Sequence, residues 1–206
     1  MTFPDEKFPT VADYADAYFE RVRAAHGSVD RERLAAALTV LDEAYGRGAT
    51  LYVCGNGGSA SIANHLVCDH SKGAQTDTEL RPKVVSLSTN MEMITAIAND
   101  ISYEDIFVYQ LRTLAEPGDV LLTISSSGDS ENVVRAAEWA KGEGLDVIAF
   151  TGFEGGRTAT LASVNVHVEG DNYGVVEDTH QGLMHILAQF IRQAHMADDV
   201  IKERKF

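Results

Sequence analysis

Two short segments carry the residue types that can hold an anion: Gly55-Asn56-Gly57-Gly58-Ser59 and Ser125-Ser126-Ser127-Gly128-Asp129-Ser130. Glycine lets a backbone approach a ligand closely, and serine hydroxyls donate hydrogen bonds. A turn that opens a helix adds the unpaired N–H groups of the first helical turn. Together the two segments describe a phosphate cradle that needs no lysine. Each alone has an ordinary reading as a strand-to-helix turn or a serine cap. The first is not a dinucleotide fingerprint, because Gly55 and Gly57 are followed by Ala60, and neither segment carries a Walker lysine. No nucleotide cofactor is expected.

Reactive groups fall in two further places. His65 and Asp69 lie four apart and share a face if their segment is helical. Near the end of the chain Glu177, His180, Gln181 and His185 form one broad polar stripe on an otherwise apolar helical pattern. Carboxylates and imidazoles in that number suit proton transfer. His65, Asp69, Glu177 and His185 also make a two-histidine, two-carboxylate set of ligand types acceptable to zinc. His26, His167 and His195 read as solvated or paired side chains. Cys54 ends an apolar run, and with Cys68 it gives neither a disulfide framework nor a CxxC pair.

These residues need elements to position them. Apolar spacing predicts helices over Val11–Ala25 and Arg31–Arg47, the second capped by Ser28 or Asp30 and ended by Gly46 and Gly48. Such a pair covers a sheet edge or meets another subunit. Five runs rich in Val, Ile and Leu then read as buried strands: Thr50–Cys54, Lys83–Leu87, Asp119–Ile124, Asp146–Thr151 and Val164–Val168. Helical stretches separate them at Ser59–His70, Met91–Ala98 with Tyr103–Leu114, Asn132–Glu143 and Gly156–Ala162, and a last helix runs from Glu177 to about Met196. Strand–helix alternation implies parallel crossovers, an α/β class and a three-layer, doubly wound sheet. With strand order 2-1-3-4-5, the two Gly/Ser turns leave the first and third strands and meet where the order reverses.

Composition narrows the partners. The 206 residues are 45% hydrophobic, and 17 Lys and Arg face 31 Asp and Glu, a formal charge of -14. Such a field repels nucleic acid and anionic membranes, and no Lys/Arg run offsets it. Residues 1–10 lack the basic start and apolar stretch of a secretion leader, and no apolar run reaches membrane length. A cytoplasmic location is the expectation.

The runs YVCGNGGSASIANH, AIANDISYEDIF, GDVLLTISSSGDSENV and EDTHQGLMHIL resemble the sugar isomerase (SIS) domain family, and within it most closely the phosphoheptose isomerases. The likeness spans about residues 35 to 195. It implies a five-stranded flavodoxin-like sheet in a single domain over 1–206, with helices over 1–48 and the α/β core and last helix over 49–206. It also implies a homo-oligomer, usually a tetramer, and conversion of sedoheptulose 7-phosphate into glycero-manno-heptose 7-phosphate through an enediol. By motif, Asn56, Gly57, Gly58 and Ser59 would meet substrate from the first turn, and Asn99 and Asp100 from the AND segment. Ser125, Ser126, Ser127 and Ser130 would hold phosphate or sugar. His65 matches a family metal ligand, and His185 matches the histidine used as acid and zinc ligand, one ion per subunit.

The sequence departs from the family pattern twice. Asp69 stands where the family has the glutamate of HxxxE, and Glu177 stands where it has a glutamine. A shorter aspartate changes the reach of a base, so the expectation places Asp69 first as base, Glu177 second, and His185 as acid. Convergence of all three over the serine turns is part of that expectation. The competing readings are a non-catalytic phosphosugar-binding or replication-associated member of the fold, and an isomerase of another phosphosugar.

Overall fold

The computed structural model describes residues 3–206; Met1 and Thr2, the start of the segment read as no leader, lie outside it. Its strands are β1 (Thr50–Cys54), β2 (Lys83–Ser86), β3 (Val120–Ser125), β4 (Asp146–Thr151) and β5 (Val164–His167). All pair in parallel in the order β2-β1-β3-β4-β5, as the alternation of runs requires. Each strand falls within a residue of its expected bounds. Asp119 stays outside β3 because its carboxylate accepts from the backbone N–H of Thr50 (2.7 Å) and of Glu116 (3.0 Å).

The helices are α1 (Val11–Ser28), α2 (Arg31–Gly46), α3 (Gly58–Cys68), α4 (Met91–Asp100), α5 (Val108–Leu114), α6 (Glu131–Gly142), α7 (Gly156–Leu161), α8 (Tyr173–His195) and α9 (Asp198–Ile201). Side chains of period two split the sheet between two cores. Leu51, Val53, Leu122, Ile124, Ile148 and Phe150 face α2, α3 and α8. Tyr52, Cys54, Leu121 and Val147 face the layer built from α4, α5 and α6. The N-terminal pair is thereby placed: α2 buries Ala37, Leu41, Ala44 and Tyr45 on a face of the sheet rather than at its edge, and α1 packs on α8. Asp30, not Ser28, caps α2, accepting from the N–H groups of Glu32 and Arg33.

Several helix boundaries differ from the periodic reading: α1 runs on past Ala25 to Ser28, and α4 past Ala98 to Asp100. The expected Ser59–His70 helix ends at Cys68 and continues as a π-helical turn over Asp69–Gly73. Such wide turns re-aim side chains that a regular helix would hold in register. Tyr103–Leu114 divides into a short 3-10 turn, Tyr103–Asp105, and α5. The last helix begins four residues earlier than Glu177, because the Asn172 side chain accepts from Val175 N–H (3.1 Å) and caps it. Among the described residues no helix is long and apolar enough to cross a membrane.

Candidate active site

The register of β1 against β3 sets Cys54 beside Thr123, so the two Gly/Ser turns leave neighbouring strands at the same end. Glycine is required at the first turn by contact. A β-carbon on Gly55 would lie 2.8 Å from the Ile124 carbonyl oxygen and from Ser59. Gly57, with φ +54° and ψ -122°, holds a backbone shape that L side chains rarely adopt and serves as the N-cap of α3.

Asn56 is held by a reciprocal amide pair with Asn132, 2.9 Å in each direction, and its oxygen also accepts from the Tyr103 hydroxyl (3.1 Å). In the second turn Ser125 Oγ accepts from Gly128 N–H (3.2 Å) and Ser127 Oγ from Asp129 N–H (3.3 Å). Arg157 fixes that turn from outside, donating to Asp129 (2.5 Å) and Glu131 (2.9 Å). Asn132 and Arg157 were not among the expected site residues. Their contribution is a contact across the fold, which no local pattern announces.

The two turns enclose a cavity of about 110 Å³. Asn56 and Ser59 line it from one side, Ser125, Ser126, Ser127 and Ser130 from the other, and Tyr173 and Glu177 from α8. Ser126 Oγ is buried there without a hydrogen-bond partner among the described residues. A buried hydroxyl in that state marks a place for a ligand or a bound water. The volume suits a phosphoryl group with part of a sugar and falls short of a whole small-molecule site, so a longer ligand must extend out of the cavity. Glu177 presses on the first turn, since a β-carbon on Gly58 would lie 2.2 Å from its carboxylate. Burial first, and the charge of Asp178 second, push the Glu177 pKa above the ordinary carboxylate range.

A second polar group lies further along α8. Asp69 accepts from His185 Nδ1 at 2.7 Å and approaches His65 Nε2 at 3.3 Å. The Gln181 amide nitrogen lies 3.0 Å from both His65 Nδ1 and His185 Nε2. The four side chains close a ring if both imidazoles are neutral, each donating to Asp69 and accepting from Gln181. One donor atom each from His65, Asp69 and His185 lie within 4.8 Å of one another. Two imidazoles and a carboxylate at that spacing are a fitting zinc set that leaves a coordination position open. Asp69 and His185 also line a separate cavity of about 360 Å³ with Lys72 and Arg192.

The expected site is therefore divided. The structure brings Asn56, Ser59, Ser125, Ser126, Ser127, Ser130 and Glu177 to one cavity, with Gly57 and Gly58 on its rim turn. Asp69 and His185 do not line that cavity, which corrects the expected convergence. Glu177 does not join His65, Asp69 and His185 as a fourth metal ligand. Eight residues of α8 separate it from His185, about 12 Å of helix rise. Asn99 and Asp100 also stay outside, hydrogen-bonded to each other (2.7 Å) at the exposed end of α4. His180 leaves the stripe for the core: it is fully buried with Nε2 3.2 Å from the Thr151 carbonyl oxygen, and burial pushes its pKa down to about 4.

Comparison with known proteins adds an independent line. Residues 13–152 match the family model described as SIS domain. A probable phosphoheptose isomerase of Thermoplasma acidophilum is 35% identical over 178 residues, covering 86% of this chain and 97% of the relative. The phosphoheptose isomerase of Alteromonas mediterranea is 36% identical over 174 residues, covering 83% and 87%. Among solved structures, phosphoheptose isomerase GmhA from Neisseria gonorrhoeae superposes with a TM-score of 0.81 at 30% identity, covering 89% of this chain and all of the other.

Proposed function

From the premise that this chain belongs to the SIS domain family, we propose that it is a phosphosugar isomerase interconverting an aldose and a ketose, with sedoheptulose 7-phosphate as the ketose. The observation that carries this reading is the serine-lined cavity between the two turns, with the Ser126 hydroxyl buried in it and unpartnered. A phosphate there is met by hydroxyls and by the start of α3, and needs no cation from an acidic chain. The names of relatives over 80% of the chain agree with that class of reaction.

The reaction moves one proton between neighbouring carbons and one between their oxygens. Starting from the ketose, a base removes a proton from C1, the C1–C2 double bond forms, and the C2 oxygen is protonated to give the enediol. The O1 hydroxyl then loses its proton, C2 takes one, and the aldehyde remains at C1. Carboxylates serve the carbon steps and imidazoles the oxygen steps. Along α3, the π-helical turn that continues it, and α8, this chain offers Glu177 beside the cradle and the His65, Asp69 and His185 group further on.

His65, Asp69 and His185 would hold one zinc ion per subunit, and such an ion would polarise a carbonyl or stabilise an enediolate oxygen. Gln181 would orient both imidazoles from the outer side. A homo-oligomer in the cytoplasm completes the proposal. Ile186 and Phe190, one turn apart on α8 and about half exposed, are the side chains that a second copy would cover.

The test is turnover of a panel of ketose phosphates, sedoheptulose 7-phosphate among them, with and without zinc. Ser126→Ala with Ser130→Ala should raise KM by roughly 10- to 100-fold through lost charged hydrogen bonds. Turnover of unphosphorylated ketoses as fast as phosphorylated ones would remove the role assigned to the cradle.

A further inference from the structure

The serine turn that would hold a phosphate carries two carboxylates of its own. Asp129 lies between Ser127 and Ser130, which line the cavity, and Glu131 follows Ser130 as the first residue of α6. We propose that Arg157 is a positioning residue for phosphate binding: it cancels the charge of Asp129 and Glu131, so that an acidic turn can accept a phosphate dianion. This rests on the phosphosugar reading and deepens it.

Backbone packing puts Arg157 in reach. The turn after β4 meets the serine turn with no side chains between them. Gly152 N–H donates to the Ser126 carbonyl (2.9 Å), and Thr158 N–H donates to the Gly128 carbonyl (2.9 Å). A β-carbon on Gly128 would run into the Gly155 carbonyl oxygen, and one on Gly156 would run into Gly128. So close a contact brings the start of α7, with Arg157, beside residues 129 and 131. All three guanidinium nitrogens are then used on them. Nε donates to the Asp129 carboxylate (2.5 Å), Nη1 to the Glu131 carboxylate (2.9 Å) and Nη2 to the Asp129 carbonyl (3.1 Å).

The charge balance around the turn is narrow. Glu131 also accepts from Arg135 (3.1 Å), but Arg135 is shared with Asp105 (3.2 Å). Three carboxylates therefore face two cations, and without Arg157 they would face one. Hydrogen bonds from Arg157, ahead of every other cause, hold the Asp129 and Glu131 carboxyls below their ordinary range, so both are ionised at neutral pH. Serine hydroxyls and backbone N–H groups bring no net charge to offset two anions beside a dianion. The formal charge of -14 over the whole chain adds repulsion. Arg157 is half exposed, and as surface ion pairs its contacts would add little to stability. Beside an anion-binding turn the same contacts act on affinity.

The test uses the full chain and measures two things: inorganic phosphate binding by calorimetric titration, and kcat and KM with sedoheptulose 7-phosphate. Arg157→Ala should weaken phosphate binding and raise KM by roughly 3- to 30-fold, the effect of two uncancelled unit charges on a dianion across a solvated turn. Its kcat should stay within about twofold, because the change is in binding and not in the chemical step. Arg157→Lys keeps the charge and loses the fork, and should stay within about threefold of wild type. Adding Asp129→Asn and Glu131→Gln to Arg157→Ala should bring both measurements back to within about threefold of wild type, since the charges that Arg157 cancels are gone. A clamp that acted only through its bonds would not be rescued in this way, because the triple variant has no guanidinium to make them. Unchanged phosphate affinity and KM in Arg157→Ala would overturn the assignment, as would a loss that the triple variant leaves unrepaired. A wild type that turns over no ketose phosphate, yet shows this pattern with inorganic phosphate, would remove the isomerase reading and leave the assignment standing. A wild type that binds neither phosphate nor sedoheptulose 7-phosphate would remove both.

Discussion

The two ends of the α8 stripe invite comparison, because one helix face supports two polar groups of opposite character. At Glu177 a carboxylate sits half-buried beside an unpartnered serine hydroxyl, with its pKa raised by burial. Two turns on, at His185, both nitrogens of His65 and of His185 and both oxygens of Asp69 meet a neighbour within the ring that Gln181 closes. The first group is left incomplete by the protein, and incompleteness of that kind suits a ligand and a moving proton. The second is complete, and completeness suits a fixed tautomer and a metal ion.

The largest expected effect separates the two ends by metal affinity. His185→Ala should weaken zinc binding by more than about 100-fold, beyond the 10- to 100-fold typical of an outer-shell partner. Ser126→Ala should leave it unchanged, measured by competition with a chromogenic chelator. Equal losses in both variants would merge the two groups into one site. Gly55→Ala should come next. Its β-carbon meets backbone at 2.8 Å, so a cost of about 2 kcal/mol and a drop of roughly 4–8 °C in Tm are expected, with zinc affinity at the far group retained.

A smaller effect should appear in the pH dependence of stability. Burial holds the His180 pKa at about 4, below its value in the unfolded chain. The unfolded state therefore binds the extra proton, and stability present above about pH 6.5 should be lost as pH falls toward 4. His180→Leu should flatten that part of the profile in denaturant titrations, while neither end of the stripe changes its ligand binding. The smallest shift belongs to Glu177 itself. Its folded pKa is raised, so ionisation costs stability as pH rises through that value. Glu177→Gln should gain roughly 2 °C or less in Tm at pH 7 and nothing at pH 3. A destabilised Glu177→Gln would show that the carboxylate is a structural cap on α3 rather than a strained reactive group.

Much of this molecule was legible in its residues. The five apolar runs, the order of turns and helices, and the meeting of Gly55–Ser59 with Ser125–Ser130 all follow from short-range signals: period-two burial, glycine where a backbone must turn or approach, and a strand–helix alternation that forces parallel crossovers. Those signals act within a few residues and survive without knowledge of what lies opposite. The stripe on the last helix was legible in the same way, as an angle around an axis.

What stands across from each member of the stripe was decided only in three dimensions. Asn132 reaches Asn56, and Arg157 reaches Asp129, across 76 and 28 residues of chain. His180 turned inward because α8 lies on Phe150 and Thr151, where only a neutral imidazole is tolerated. Asp69 and Glu177 looked alike as carboxylates in a helical pattern. Regular helical backbone carried through Asp69 and the rise of α8 put one in a ring of histidines and the other against a glycine. A helical pattern fixes direction about the axis, whereas proton chemistry depends on distance and burial, and those belong to the packed chain.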